Sequence, residues 1–181
     1  MPEPTLTPAI FLDRDGTLMH DTGYVGKVED VCLFDGVREA LTALKARGFL
    51  TVIVTNQSGI PRGKFTLADF EAVHARFLEL LGPGLIDRTY MCADHPDHAT
   101  DRRKPGPGML LEAARDLGID LARSWMVGDR TADLEAGRRA GTRSILVLTG
   151  EGKSDPTSLA AFVAKDFASA AKFILRETSE S

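Results

Sequence analysis

Two aspartates, Asp13 and Asp15, stand directly behind an apolar run, Ala9-Ile10-Phe11-Leu12. The run predicts a buried strand, so both carboxylates lie at a strand end, two places apart and on the same side. Placing like charges together is unfavourable unless a cation or a transferable proton lies between them. The pair therefore indicates a metal site or a proton-transfer site. The alternative is a solvated strand end at which Asp-Gly starts a turn.

Three further polar segments follow apolar runs in the same way. Thr55 begins a stretch rich in hydroxyl and amide groups, Lys104 follows a pair of arginines, and Asp129 follows a glycine. Each has a simpler interpretation when taken alone: a polar turn, an exposed loop lysine and a turn residue. Asp133, four residues beyond Asp129, suits the first turn of a helix because of the helix dipole.

Strand-like and helix-like patterns alternate along the chain and position these residues. Apolar runs predict strands at 10–13, 49–54, 86–92, 125–127 and 144–148, the last clear strand. Helical spacing predicts helices capped by Asp35 and Thr66 and others at 109–117, 131–140 and up to 176. Repeated βα units imply an α/β fold, a Rossmann-like, mostly parallel sheet with helices on both faces. Ligands of such sheets bind beyond the carboxyl ends of the strands, where all four polar segments fall.

Together these side chains match the chemistry of a phosphoryl group. Asp13, Asp15 and Asp129 could gather around Mg²⁺, which prefers few carboxylates and keeps several of its waters. Lys104 supplies a positive charge and Thr55 a hydroxyl donor, which would offset and orient the phosphate oxygens. One carboxylate can then attack phosphorus, while a second protonates the leaving oxygen and later activates water. We expect Asp13 and Asp15 to divide these two roles.

The composition favours an enzyme that acts on a small molecule. The 181 residues carry a formal net charge of -4, which disfavours nucleic-acid binding through bulk charge. Two cysteines are too few for a disulfide framework and fit a reducing compartment. The sequence shows no secretion signal, and no apolar run reaches the roughly 18 residues of a membrane span. We expect a cytoplasmic monomer, one domain over 1–181, with no nucleic-acid or membrane partner.

The order of the polar segments resembles the signature of the haloacid dehalogenase superfamily of phosphohydrolases. It consists of Asp-x-Asp-Gly-Thr at 13–17, Thr55, Lys104 and Gly-Asp-x-x-x-Asp at 128–133. More closely, DRDGTL, the loop at 21–24, TNQSGIPRGKF and RKPGPGM resemble the subgroup of phosphatases that act on D-glycero-D-manno-heptose 1,7-bisphosphate and histidinol phosphate. Some superfamily members insert a large cap domain, for which the intervals here are too short, so the resemblance implies an open site.

The resemblance implies a role for each matching residue. Asp13 would be the nucleophile and a Mg²⁺ ligand, and Asp15 would be the acid/base and give its backbone carbonyl to the metal. Thr55 and Lys104 would stabilise the transferred phosphoryl group. Asp129 would complete the metal site, with Asp133 as a supporting carboxylate. Substrate contacts are implied for Asp21, Thr22, Gly23, Tyr24, Asn56, Gln57, Ser58, Arg103 and Arg130.

The implied reaction is Mg²⁺-dependent hydrolysis of a sugar phosphate monoester through an aspartyl-phosphate. The leading substrate is the 7-phosphate of D-glycero-D-manno-heptose 1,7-bisphosphate, with Arg103 and Arg130 as candidates for binding the distal phosphate. Histidinol phosphate or another small phosphate monoester is the enzymatic alternative. A non-catalytic phosphate-binding protein is the alternative from a different class, and the intact aspartates and lysine argue against it.

One loop departs from the subgroup's pattern. Its members hold a structural zinc through Cys-x-His and a later Cys-x-Cys before Arg-Lys-Pro. Here Cys92 keeps its place, whereas Asp94, Thr100 and Arg102 occupy the other three positions. Threonine is a poor zinc ligand and a guanidinium cannot be one, so we expect no structural zinc. The alternative is a mixed site formed by Cys92, Asp94, His95 and His98.

Overall fold

Six parallel strands form one sheet in the part of the chain that this computed structural model describes, residues 5–150 and 157–179. The strands are β1 (Ala9–Leu12), β2 (Leu50–Asn56), β3 (Arg88–Cys92), β4 (Trp125–Gly128), β5 (Arg143–Val147) and β6 (Phe162–Ala164). Their order across the sheet is β3-β2-β1-β4-β5-β6, and each neighbouring pair is parallel. This arrangement confirms the predicted α/β fold.

Helices cover both faces of the sheet. They are α1 (Val37–Ala46), α2 (Leu67–Leu81), α3 (Gly108–Leu117), α4 (Thr131–Ala140) and α5 (Phe167–Glu177). One apolar cluster joins α1, α2 and α5 to the sheet face that carries Ile10 and Leu12. A second cluster joins α3 and α4 to the opposite face, which carries Ala9 and Phe11. Successive β1 side chains therefore alternate between two buried layers, as expected of a strand that lies inside a parallel sheet.

Two predicted details of the elements are wrong. Asp35 does not cap α1, because the N-cap is Gly36, which has φ 77° and no capping side chain. β6 was not expected after 144–148, because three residues are too few to show a periodic pattern. The predicted cap at Thr66 is confirmed: its Oγ1 accepts from Asp69 N, and its own N–H donates to the Asp69 carboxylate.

The chain between the first signature segment and α1 adds no second layer over the sheet. Its residues, 17–34, form one short 3₁₀ turn at Val28–Asp30 and a few isolated bridges. The expected absence of a large cap therefore agrees with this described segment. None of the helices in the described residues has the length and apolar character needed to cross a bilayer.

The strand order determines where polar side chains meet. The chain order reverses at β1, whose neighbours are β2 on one side and β4 on the other. Such a reversal opens a crevice beyond the carboxyl ends of the strands, where α/β proteins bind ligands. Asp13 follows β1, Thr55 lies near the end of β2, and Asp129 follows β4. The backbone N–H of Asp13 also donates to Val127 O at 3.0 Å, which fixes β1 against β4 at this point.

Candidate active site

Lys104 joins two carboxylates at the centre of this sheet edge. Its Nζ lies 2.7 Å from Asp13 Oδ1 and 2.6 Å from Asp133 Oδ1, and it donates to Val54 O at 2.8 Å. The three charged side chains are 3%, 12% and 3% exposed for Lys104, Asp13 and Asp133. Charges this deeply buried are tolerated only when they are paired and hydrogen-bonded. The three acceptors match the three N–H donors of an ammonium, so Lys104 is held in one orientation.

Asp133 connects this lysine to the start of α4. While its Oδ1 contacts Lys104, its Oδ2 accepts from Arg130 N at 3.1 Å. Its carboxylate also packs against Gly128, where an added Cβ would collide with it. Asp133 therefore acts both as an acidic group in the first turn of a helix and as a partner that orients Lys104.

Three carboxylates gather beside the ammonium. One oxygen each of Asp13, Asp129 and Asp133 lies within 4.8 Å of the others. Asp129 is 1% exposed, and a Cβ at Gly16 or Gly150 would collide with its carboxylate. These three carboxylates carry two more negative charges than Lys104 neutralises. The hard oxygen donors and this charge difference fit a divalent cation such as Mg²⁺. We call Asp13, Lys104, Asp129 and Asp133 the floor of the site.

Burial and charge shift the pKa values of the two central groups. Burial raises the pKa of Asp13 well above its ordinary value; the Lys104 ammonium lowers it, and the carboxylates of Asp133 and Asp129 raise it. Burial lowers the pKa of Lys104, but the Asp13 and Asp133 carboxylates outweigh burial and raise that pKa overall. Lys104 is therefore a permanent cation, whereas Asp13 needs additional positive charge to remain ionised. A divalent cation on the floor would supply that charge.

Asp15 does not belong to the carboxylate cluster, which corrects the expectation that its side chain joins Asp13 and Asp129. Its Oδ1 accepts from Arg14 Nε at 3.2 Å and from Arg14 Nη2 at 3.1 Å. Its Oδ2 accepts from Arg14 Nη2 at 3.1 Å and from Gln57 Nε2 at 2.8 Å. The carboxylate is 18% exposed and lines the cavity described below. It is thus turned away from the floor and held beside it.

The segment after Thr55 mainly positions other residues of the site. Gln57 Nε2 donates to Thr55 Oγ1 at 2.8 Å as well as to Asp15. Asn56 holds the backbone of Lys104: its Nδ2 donates to Lys104 O at 3.0 Å, and its Oδ1 accepts from Lys104 N at 3.1 Å. Asn56, Gln57 and Ser58 all line the cavity. For Asn56 and Gln57, however, the side-chain bonds are made to the protein itself.

A cavity of about 410 Å³ opens above the floor. Most of the predicted site residues line it: Asp13, Asp15, Asp21, Gly23, Tyr24, Asn56, Gln57, Ser58, Arg103, Lys104, Arg130 and Asp133. Thr55 and Asp129 are buried beneath the lining. Thr22 is exposed and does not line the cavity, so its expected substrate contact has no counterpart here. Its neighbours on either side are joined by a hydrogen bond from Gly23 N to Asp21 Oδ1 at 2.8 Å.

The outer wall of the cavity carries three guanidinium groups. Arg130 Nη2 lies 3.5 Å from Asp21 Oδ2, and Arg62 Nη1 donates to the Tyr24 hydroxyl at 2.7 Å. Arg103 Nη1 donates to Asp94 O at 3.2 Å. We call these arginines, together with Asp21, Gly23 and Tyr24, the rim of the site. Arginine forks of this kind recognise carboxylate and phosphate groups well.

Sequence reasoning missed two arginines at this site. Arg62 lies within the quoted segment TNQSGIPRGKF, and its presence in a loop that follows a polar strand end was the available signal. Arg14 stands between the two signature aspartates and is completely buried. A charged residue in the middle of an otherwise buried turn was the signal there, because arginine is seldom buried without a partner.

Known proteins with related sequences identify the family. The HAD-hydrolase-like family model matches residues 101–170. The chain is 46% identical over 159 residues to D-glycero-beta-D-manno-heptose-1,7-bisphosphate 7-phosphatase of Escherichia coli strain K12, covering 80% of this chain and 81% of that protein. It is 39% identical to D-glycero-D-manno-heptose-1,7-bisphosphate 7-phosphatase of Thermosynechococcus vestitus, covering 92% and 95% of the two chains.

A solved structure agrees with these sequence relationships. The D,D-heptose 1,7-bisphosphate phosphatase from B. bronchiseptica, complexed with magnesium and phosphate, superimposes with a TM-score of 0.85. It is 34% identical, and the match covers 94% of this chain and 99% of that one. The chain belongs to the haloacid dehalogenase superfamily. The predictions of this superfamily and of its phosphatase reaction class are thereby confirmed.

The loop at 92–102, where the sequence resemblance implied a zinc site with three altered positions, contains hydrogen bonds at all three of those positions. Asp94 Oδ2 accepts from Thr100 N at 2.8 Å and from Thr100 Oγ1 at 2.6 Å. Two of the altered positions therefore bond directly to each other. Arg102 Nε donates to Glu112 Oε2 at 2.9 Å, which directs the third altered position toward α3. Burial raises the pKa of the Cys92 thiol, the group that remains in place.

Proposed function

We propose that this chain is a Mg²⁺-dependent phosphatase that hydrolyses a sugar phosphate monoester through an aspartyl-phosphate, most specifically the 7-phosphate of D-glycero-D-manno-heptose 1,7-bisphosphate. The observation that carries the proposal is the floor, where Lys104 Nζ lies 2.7 Å from Asp13 Oδ1 beneath an open cavity. A nucleophilic carboxylate, a fixed cation and a cluster of hard oxygen donors stand where one phosphoryl group would enter. Electrostatic stabilisation of this kind is the main requirement of phosphoryl transfer.

The residues of the chain divide the chemistry as follows. Asp13 attacks the phosphorus, and Lys104 with the Thr55 hydroxyl stabilises the charge on the phosphoryl oxygens. The Asp15 carboxyl gives its proton to the leaving oxygen and then, as a carboxylate, takes a proton from the water that hydrolyses the aspartyl-phosphate. Asp133 and Asn56 hold Lys104 by its ammonium and its backbone. Asp13, Asp129 and the backbone carbonyl of Asp15 would hold Mg²⁺, which neutralises phosphate charge when bound.

The rim supports a bisphosphate as the substrate. Three guanidinium groups, from Arg62, Arg103 and Arg130, border a cavity whose floor accommodates the phosphate that reacts. Their positive charge suits a second phosphate at the far end of a sugar. The names of the relatives from Escherichia coli and Thermosynechococcus vestitus support the heptose bisphosphate in particular. Histidinol phosphate has one phosphate and a basic remainder, which three arginines would not favour.

A phosphate-release assay tests the proposal. The purified chain is incubated with Mg²⁺ and, separately, with the heptose 1,7-bisphosphate, other sugar bisphosphates and histidinol phosphate. We expect the highest kcat/KM for the heptose 1,7-bisphosphate. Preferred turnover of histidinol phosphate would overturn the assigned substrate but not the reaction class, and no turnover of any ester would favour a non-catalytic phosphate-binding protein.

Removal of metal tests the cofactor. Excess chelator should abolish phosphate release, because Asp13 is left in a site with unbalanced negative charge. Added Mg²⁺ should restore the rate, and a full rate in the presence of chelator would contradict the metal assignment. Binding of Mg²⁺ can be measured independently by calorimetry, where Asp129→Asn should weaken it.

We also propose that the enzyme works in the cytoplasm as a monomeric single domain over 1–181. Both cysteines are free thiols, Cys32 exposed and Cys92 buried, which suits a reducing compartment. Light scattering of the purified protein at micromolar concentration should give the mass of one chain, and a dimer would contradict the proposed state.

A further inference from the structure

Arg14 is the largest side chain that is completely buried in the described residues, and it is not used by the chemistry derived above. Its guanidinium bonds to the carboxylate of the next residue, Asp15, to which Nε and Nη2 make three contacts of 3.1–3.2 Å. A planar fork that meets both oxygens of a carboxylate fixes the plane of that carboxylate as well as its position.

Gln57 holds the same carboxylate from another element. It follows β2, is 5% exposed, and donates to Asp15 Oδ2 at 2.8 Å and to Thr55 Oγ1 at 2.8 Å. The Asp15 carboxylate therefore has donors from two directions, and its exposed part faces the cavity. The Gln57 amide thus connects the Asp15 carboxylate to the Thr55 hydroxyl.

The surroundings of Arg14 are poorly suited to a purely stabilising role. The guanidinium lies over the Phe70 ring at 5.0 Å, and its Nη1 has no hydrogen-bond partner among the described residues. A buried, incompletely bonded charge contributes little to stability compared with apolar side chains of the same volume. His74, stacked on Phe70 and Phe77, has its pKa lowered to about 4 by burial and by the Arg14 charge, and so stays neutral behind it.

We propose that Arg14 and Gln57 form a clamp that positions the Asp15 carboxylate for both of its proton transfers. The inference rests on the proposed function, because it assigns Asp15 as the acid/base. In the first step Asp13 forms the bond to phosphorus, the bond from phosphorus to the leaving oxygen breaks, and that oxygen takes the Asp15 proton. In the second step a water oxygen attacks phosphorus, Asp15 takes the water proton, and the Asp13 carboxylate and phosphate are released. Both steps need the same carboxylate in one place.

The test compares two leaving groups of similar size. p-Nitrophenyl phosphate releases a stable anion that needs little protonation, whereas phenyl phosphate releases a more basic oxygen that does. In Arg14→Met and in Gln57→Leu, kcat/KM for phenyl phosphate should fall about 10²-fold and that for p-nitrophenyl phosphate less than about 5-fold, because general acid catalysis acts on leaving groups that need a proton. In both variants the displaced Asp15 should also deprotonate the attacking water more slowly, so the aspartyl-phosphate should accumulate and p-nitrophenol should appear in a burst of about one per chain.

A matched control separates positioning from packing. Phe70→Leu removes the ring beneath the guanidinium without touching Asp15, and it should lower both rates by one common factor and give no burst. If Arg14→Met does not fold, as judged by circular dichroism, Gln57→Leu decides the question alone. Equal losses on both aryl phosphates and no burst would overturn the clamp. Failure of the wild-type chain to hydrolyse either ester would instead overturn the proposed function.

Discussion

The floor and the rim of the site differ in solvent exposure and in the length of their ionic contacts. The floor residues are 1–8% exposed, and Lys104 bonds to Asp13 and Asp133 at 2.6–2.7 Å. The rim is open to solvent: Tyr24 is 42% exposed and the Arg130 side chain 46%. The ion pair between Arg130 and Asp21 spans 3.5 Å. Buried charges interact strongly and tolerate little change, whereas exposed pairs contribute little and can exchange partners.

This difference locates reaction chemistry and substrate choice in separate parts of the molecule. Asp13 and Asp129 follow β1 and β4, and Asp133 lies in the first turn of α4. Lys104 lies in the loop between β3 and α3, but its hydrogen bonds to Val54 and Asn56 attach it to β2. The sheet therefore fixes the floor. The rim residues stand in loops, where side chains can change with little effect on the core. We therefore expect substitutions on the floor to abolish turnover of every substrate. Substitutions on the rim should change which substrate is preferred.

The largest effect is expected from the floor. Asp13→Asn should lower kcat for every phosphate ester by about 10⁴-fold or more, because an amide is a poor nucleophile and a weak metal ligand. The side chain keeps its size, so the melting temperature should stay close to that of the wild type or rise. Asp97→Asn, at a side chain that is 79% exposed, is the matched control and should keep full activity. Substantial turnover by Asp13→Asn would exclude the covalent route.

A rim substitution should discriminate between substrates. Arg103→Ala should lower kcat/KM for the heptose bisphosphate by about 10- to 100-fold, the loss expected for a charged hydrogen-bond partner of the distal phosphate. The rate on p-nitrophenyl phosphate should change less than about 3-fold, because that ester has no distal group. Arg102→Ala is the matched control: the adjacent arginine bonds to Glu112 outside the cavity. Equal losses on both substrates would show that Arg103 binds the phosphate group that reacts rather than the distal one.

The sequence predicted the floor better than the rim for a physical reason. Signature residues at strand ends must meet at one sheet edge once the strands are parallel, so Asp13, Lys104 and Asp129 could be placed together. The orientation of a carboxylate depends on its partners, and those of Asp15 were not visible without Arg14 and Gln57. Arg62 reaches the rim through the course of a loop, which no periodicity encodes.

The same limit applies to the fold. Strands β1 to β5 and the helices were predicted because buried elements repeat apolar residues with a clear period. β6 has only three residues, and its pairing with β5 depends on tertiary contact. Gly36 caps α1 by its backbone conformation alone, so Asp35 was the more reasonable choice from composition.

A stability effect of intermediate size is expected at His74 in α2, next to Arg14. Burial and the Arg14 charge lower the pKa of His74 from 6.5 to about 4, so folding favours the neutral imidazole. The unfolded chain then binds more protons between pH 6.5 and pH 4, and stability falls as the pH is lowered through that window. From pH 7.5 to pH 5 the loss due to this partly buried group should be about 1 to 2 kcal/mol.

His74→Phe should remove that part of the acid sensitivity. Phenylalanine fits between Phe70 and Phe77, although it loses the hydrogen bond between His74 Nε2 and Thr89 Oγ1, which are 3.0 Å apart. The free energy of unfolding from urea titrations at pH 7.5 and pH 5 provides the measurement. His98→Phe, at an exposed histidine, is the matched control and should keep the wild-type difference. An unchanged pH difference in His74→Phe would show that the acid loss arises elsewhere.

The smallest effect is expected from the loop beside the rim. In this loop Thr100 donates twice to Asp94, so a protein hydrogen bond joins two positions that a metal would otherwise connect. Burial raises the pKa of the Cys92 thiol, which disfavours the thiolate that zinc requires. Purified protein should therefore contain no stoichiometric zinc by elemental analysis. Cys92→Ser should keep kcat/KM within about 2-fold, because Cys92 does not line the cavity. Thr100→Val is the sharper variant: it removes the side-chain bond at nearly constant volume and should lower the free energy of unfolding by about 1 kcal/mol while altering kcat only slightly. One tightly bound zinc per chain, lost in Cys92→Ser, would contradict this account and indicate that Cys92 is joined by His95 and His98.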